Sequence, residues 1–128
     1  MRLLLDTHIF LWAISDYDRL GDRVRTAIED TANSILVSSA STWEIAIKWR
    51  SGKLELPLPP DDMLPIGIAR SNFAIVPMDL DHTLAAANLP LHHSDPFDRM
   101  LIAQAILENA TLVTLDKKIK RYNVPVLA

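Results

Sequence analysis

The chain has 128 residues, 49% of them apolar and 23% charged, a balance that gives a globular fold with one sizeable core and excludes a disordered chain. It has no cysteine, which excludes a disulfide framework, a thiol nucleophile and a thiolate metal site, and is compatible with a reducing cytoplasm. Thirteen basic against sixteen acidic residues leave a net charge of −3, so bulk charge does not bring nucleic acid to it; that requires a local basic patch or bridging metal ions.

The opening MRLLLDTHIFLWAI has a basic residue and an apolar run, but Asp6 and His8 interrupt it and no small-residue cleavage site follows, so no signal peptide is expected. No run approaches membrane-spanning length. Residues 3–5 suit a buried strand, with Asp6 at its carboxyl end and Thr7 and His8 opening a short helix through residue 14. Residues 16–21 read as a turn. A helix then starts at Asp22, with Val24, Ala27 and Ile28 on one face, and closes near residues 31–33. Residues 35–37 return as a second strand. Ser41-Thr42-Trp43-Glu44 has the Ser-x-x-Glu form of a capping box, so a helix is expected from there to Arg50, stopped at Gly52, with Glu44 in its first turn. Residues 54–60, LELPLPP, make a proline-rich surface connection. Asp61 and Asp62 open an exposed helix to Asn72, weakened by Pro65 and Gly67. Residues 73–76 form a third strand, and Asp81 is expected to cap a helix over residues 82–88.

The best-signed helix follows, in SDPFDRMLIAQAILEN. Ser94 or Asp95 can cap it, Pro96 suits the first helical position because its missing N–H would be unpaired there, and Asn109 stops it. Leu101, Ile102 and Ala105 share a face with Asp98, and most of the remainder is apolar, so the helix must be covered on more than one side. Asp98 thus lies on the stripe facing the sheet, where its charge needs a partner. Residues 111–114 form a fourth strand with Asp116 two residues past its end. Residues 117–122 make one or two helical turns, and residues 124–127 a short final strand.

Strands alternating with helices predict an α/β fold, a three-layer α/β/α sandwich with a central parallel sheet of four to five strands. Ligands of such sheets bind outside the carboxyl ends of the strands, where strand order reverses. Asp6, Glu44, Asp98 and Asp116 all fall at that end, with Asp95 as a fifth candidate. Taken singly, each has an ordinary role as a helix cap or a dipole partner. Together they repel by roughly 1 to 4 kcal/mol per close pair at effective dielectrics of about 80 to 20, so either one takes up a proton or a cation binds. All-oxygen ligands suit hard Mg²⁺ or Mn²⁺, and metals held this way serve phosphodiester hydrolysis through activated water. Thr7 can offer a hydroxyl to metal or phosphate. His8 is either a hydrogen-bonding support behind Asp6 or a local structural residue. Adjacent His92 and His93 do not form a helical ligand pair, so a solvent or capping role is expected of them. There is no Gly-x-Ser-x-Gly elbow, and Gly21, Gly52 and Gly67 make no phosphate-cradling loop.

In order, LLLDT, SSASTWEIAIK, DPFDRMLIAQA and LVTLD resemble the PIN-domain ribonucleases, most closely the toxin half of VapBC-type toxin–antitoxin pairs, over nearly the whole chain. The resemblance implies a single PIN domain over residues 1–128. It also implies that Asp6, Glu44, Asp98 and Asp116 form an acidic quartet that binds Mg²⁺ or Mn²⁺ for endonucleolytic RNA cleavage, with Thr7 in the position after the first aspartate. The chain departs from the pattern at His8, where many relatives carry asparagine, and at Asp95, typical only of some subgroups, whose role as ligand or helix cap stays open. A homodimer, a cytoplasmic location and inhibition by a small cognate antitoxin, in a hetero-oligomer, are implied as well. Trp12, Trp43 and Trp49 are candidate anchors for that partner, with core packing as the alternative. The basic group Lys117, Lys118, Lys120 and Arg121 can hold an RNA backbone or form a solvated face. Two other functions compete: a catalytically silent PIN-fold binding module acting through antitoxin and dimer contacts, and a phosphotransfer receiver-type domain, which calls for an adjacent acidic pair where this chain has Asp6-Thr7-His8.

Overall fold

The computed structural model describes residues 1–128. The leucine run at the start has no polar side to offer solvent, and it becomes the middle strand of the sheet. Strand β1 (Arg2–Leu5) is flanked by β2 (Ser34–Ser38) and β4 (Thr111–Val113), with β3 (Ala74–Val76) and β5 (Val126–Leu127) at the edges. All neighbours pair in parallel, in the order β3-β2-β1-β4-β5, with Leu5 beside Val37 on one side and Val113 on the other. Order reverses between β1 and β4, and this gap is where a ligand crevice is expected. The order also differs from the 2-1-3-4-5 arrangement of receiver-type domains, so the phosphotransfer alternative is set aside.

Side chains alternate across the sheet, and both faces are covered. Leu3, Leu5, Ile35, Val37 and Val113 pack against α1 (Thr7–Ser15), α2 (Asp22–Glu29), α3 (Ser39–Arg50) and α4 (Pro60–Ser71) through Ile9, Phe10, Val24, Ile45 and Leu64. Leu4, Leu36 and Leu112 face the other way, onto Leu101, Ile102 and Ala105 of α6 (Pro96–Leu107) and Ile119 of a 3-10 turn (Lys117–Arg121). Helix α5 (Leu80–Asn88) packs on α6. Leu101 and Ile102 are fully enclosed, and each contributes about 1.5–3 kcal/mol by burial.

Helix α6 begins as its sequence dictates: Asp95 caps it, Pro96 takes the first position and Asn109 closes it in the left-handed region at φ 54°. Three other expectations need correction. Helix α3 starts at Ser39, because β2 runs into it without a loop and Ser38 takes the cap by accepting from Ala40 N. Ser41 therefore lies buried inside the helix and Glu44 stands in its second turn, so Ser41 and Glu44 form no capping box. Helix α5 is capped by Asp79 rather than Asp81; Asp79 is extended and accepts from His82 N, while the His82 ring accepts from Asp79 N. Gly67, which weakens α4 by propensity, also lets α4 approach α1, since a Cβ there would stand 2.9 Å from Ile14 Cβ. No helix is long and apolar enough to cross a membrane.

Candidate active site

Each acidic residue reaches the carboxyl edge of the sheet from a different element. Asp6 ends β1 and caps α1, its Oδ1 accepting from Ile9 N at 2.9 Å, and it is only 8% exposed. Burial raises its pKa, and hydrogen bonds from Ile9 and the Thr114 side chain partly offset that rise. The same Thr114 oxygen accepts from Asp116 N at 3.1 Å, so one buried hydroxyl ties the end of β4 to the end of β1. Asp116 in turn caps the Lys117–Arg121 turn by accepting from Lys118 N.

On α3, Glu44 is buried but well served. Thr7 Oγ1 donates to its Oε1 at 2.8 Å and lies 3.0 Å from the buried Ser41 hydroxyl. Lys48, one helical turn on, donates to Oε2 at 2.6 Å. That hydrogen bond, with the charges of Glu44, Asp95 and Asp98 behind it, holds the Lys48 ammonium above the usual lysine range against partial burial.

Asp98 is treated differently. Asp95 accepts from both Phe97 N and Asp98 N, so the extra carboxylate serves as the helix cap. The Asp98 carboxylate receives no hydrogen bond and no lysine or arginine; its nearest ionisable partner is His93, whose Nε2 lies 3.5 Å from Oδ2. Its pKa is pushed up to about 7, first by burial and then by the charges of Asp95, Asp116, Glu44 and Asp6. The sheet-facing charge thus has repulsive company where a partner was expected. His93 is not a solvent or capping residue: its side chain is 10% exposed, Nδ1 lies 2.8 Å from the Tyr122 hydroxyl, and Nε2 is buried without a hydrogen-bond partner. The reason is that Tyr122 and Arg99 pull the loop before α6 inward. Arg99, also buried, donates to the carbonyls of Ala86, Leu89 and Pro90 and to the Tyr122 hydroxyl. His92 stays exposed with its ring edge-on to Tyr122.

Asp6, Glu44, Asp98, Asp116 and Asp95 therefore share one electrostatic neighbourhood at the switch point. As they stand, no three acidic or histidine side chains are grouped to hold a metal ion. Each of Asp6, Glu44, Asp95 and Asp116 is engaged in a cap or a pair, and Asp98 alone is left over. The donor set is all oxygen and carries an uncompensated negative charge, which fits a hard divalent cation. His8 is exposed, its ring 6.2 Å from that of Trp12, and its charge favours the ionised form of Asp6. Lys117, Lys118, Lys120 and Arg121 are all exposed beside Asp116. None of the three tryptophans is fully buried, and Trp43, 56% exposed, meets Phe97 edge to face at 5.7 Å.

The sequence pattern of the PIN domain matches residues 3–125. The chain belongs to the PIN-domain family. Ribonuclease VapC16 of Mycobacterium tuberculosis is 40% identical to this PIN chain over 62 residues, which are 48% of the chain and 44% of that protein. The match thus spans less than half the length of the curated relative. Over 99% of the PIN chain, the fold is similar to a chain of VapBC2 from Rickettsia felis bound to a DNA fragment from their promoter, with a TM-score of 0.74, 25% identity and 98% of that chain covered. A toxin–antitoxin complex from Klebsiella pneumoniae has the same fold, with a TM-score of 0.66 and 18% identity over 98% of this chain and 96% of that one.

Three polar residues of this PIN site escaped the sequence reading, Lys48, Thr114 and Tyr122, and Ser41 was read only as a helix cap. Lys48 had a legible signal, since a glutamate four residues before a lysine is the spacing of a helical ion pair. Thr114 follows the last residue of β4, two positions before Asp116. Tyr122 meets His93 across 29 positions, and no local pattern announces that contact.

Proposed function

We propose that this chain is a Mg²⁺- or Mn²⁺-dependent endoribonuclease, the toxin of a toxin–antitoxin pair, which hydrolyses RNA phosphodiester bonds. The observation that carries the reading is Asp98, a largely buried carboxylate without a lysine or arginine partner, raised to about 7 first by its burial and then by four other acidic side chains at the switch point. Asp6, Glu44, Asp98 and Asp116 would hold the ion. When bound, it supplies Lewis acidity toward the phosphate and lowers the pKa of attacking water. The protein's own groups do the rest. The Asp6 cap holds one carboxylate at the end of β1, and the Thr114 hydroxyl, which accepts from Asp116 N, holds the backbone that carries another. Thr7 orients Glu44 by its hydroxyl, and the Tyr122–His93 contact sets the wall beside Asp98. Lys117 and Lys118 would receive RNA backbone, a role their exposure next to Asp116 supports.

The reading extends to partners. The chain works as one PIN domain, in the cytoplasm, as a homodimer that a small antitoxin joins. A surface on α3 and α4 that exposes Trp43, Ile47 and Pro65 beside Ala46, Leu64 and Ile68 offers the apolar anchors that such a partner needs.

Cleavage of total cellular RNA should require Mg²⁺ or Mn²⁺ and stop with chelator, and Asp6→Asn and Asp98→Asn should each lose at least about 100-fold while keeping the fold. Full activity in either variant removes the assigned roles. An inert wild type that still binds antitoxin turns the reading to the silent binding module.

A further inference from the structure

An acidic cluster alone is badly suited to a substrate that is itself a polyanion. In this one a single lysine is in contact with a member of the acidic set. Lys48 Nζ lies 2.6 Å from Glu44 Oε2, and it also feels the charges of Asp95 and Asp98. No other lysine or arginine is ion-paired to any of the five carboxylates; Arg99, the nearest in sequence to Asp98, spends its donors on backbone carbonyls. An ammonium has three N–H donors, and Glu44 accounts for one of them. The Lys48 side chain remains 43% exposed, whereas Glu44 beneath it is 7% exposed, so the pair is layered with the carboxylate inside and the ammonium toward solvent. An ordinary helical ion pair at i and i+4 accounts for the contact between the two residues. It does not explain why the only lysine or arginine paired to the acidic cluster keeps its ammonium on the solvent side.

We infer that Lys48 is a phosphate-contacting residue of the site, held by Glu44 so that its free N–H donors meet a nonbridging oxygen of the RNA phosphate entering the acidic crevice. This rests on the nuclease reading and deepens it. Lys48 offers the phosphate a positive point charge that does not depend on the divalent ion, and Glu44 keeps the long, flexible side chain from swinging away. No bond is made or broken at Lys48; its contribution is positive charge beside the nonbridging oxygens, which carry the negative charge as the phosphate is attacked.

Three readouts on Lys48→Met and Lys48→Arg test it. Mn²⁺ affinity, measured by electron paramagnetic resonance without RNA, should stay within about threefold of wild type or tighten in the methionine variant, because a competing cation has left Glu44. Single-turnover cleavage should fall about 100-fold in Lys48→Met and recover at least tenfold in Lys48→Arg. Binding of a short single-stranded RNA in Ca²⁺, followed as salt is raised, should show a log–log slope shallower by about 0.7 in Lys48→Met, the signature of one lost phosphate contact. An unchanged slope, or Mn²⁺ affinity that falls in step with cleavage, overturns the inference and leaves Lys48 as a support for Glu44. An inert wild type would instead sink the nuclease reading, and the salt slope would still decide the role of Lys48.

Discussion

Glu44 on α3 and Asp98 on α6 are carboxylates at the same edge of the same sheet, and the fold serves them oppositely. Glu44 has a hydroxyl on one oxygen and an ammonium on the other. Asp98 has neither, and its own helix start places a second carboxylate, Asp95, close by. The difference teaches where the unmet need lies. An acidic site compensated throughout by lysines and hydroxyls would be a structural network, whereas one left with a raised, unpaired member has room for a cation. The neighbour of Asp98 sharpens the point: Arg99 is buried with hydrogen bonds to carbonyls on all sides, so the chain places a satisfied charge and an unsatisfied one at consecutive positions.

Breaking the satisfied half should cost the most. Arg99→Met leaves the Ala86, Leu89 and Pro90 carbonyls without their donor and should destabilise the protein by at least about 3 kcal/mol in denaturant unfolding. The two carboxylates should then respond with opposite signs in metal-free protein. At pH 8, Asp98→Asn should stabilise by about 1 kcal/mol, a figure discounted for partial solvent access. The folded-state pKa of Asp98, about 7, lies above its ordinary 3.8. Its contribution to stability is therefore complete at acid pH and is lost as pH rises through 7, so the advantage of the asparagine variant should vanish below about pH 4. Thermal melts of both proteins from pH 4 to 8 check this, and a difference independent of pH would contradict it. Glu44→Gln should have the smallest effect, a loss of about 0.5–1 kcal/mol, as the Lys48 pair is given up while an acceptor for Thr7 remains.

Where a signal is local, the sequence carried it. Pro96 behind Asp95 fixed the start of α6, the leucines of β1 declared a strand buried on both faces, and the acidic residues singled out beyond the strands lie close enough to act on Asp98. Caps were read less well. Ser38 and Asp79 won over Ser41 and Asp81 because the chain turns from strand or loop into helix two or three residues sooner than the apolar pattern suggests. The engagement of each carboxylate was not legible at all. Whether Glu44 meets Lys48, or His93 turns inward to Tyr122, depends on how α1, α3 and the C-terminal turn come together, and spacing along the chain does not carry that.

The central claim is that carboxylates from four segments answer to one divalent cation, and calorimetric titration of metal-free protein with Mn²⁺ at pH 7 tests it most directly. Saturable binding with proton release is predicted, because Asp98 must ionise to serve as a ligand, and the affinity should fall at least about tenfold in Asp98→Asn. Absence of binding by the wild-type chain, or equal affinity in the two proteins, would contradict it.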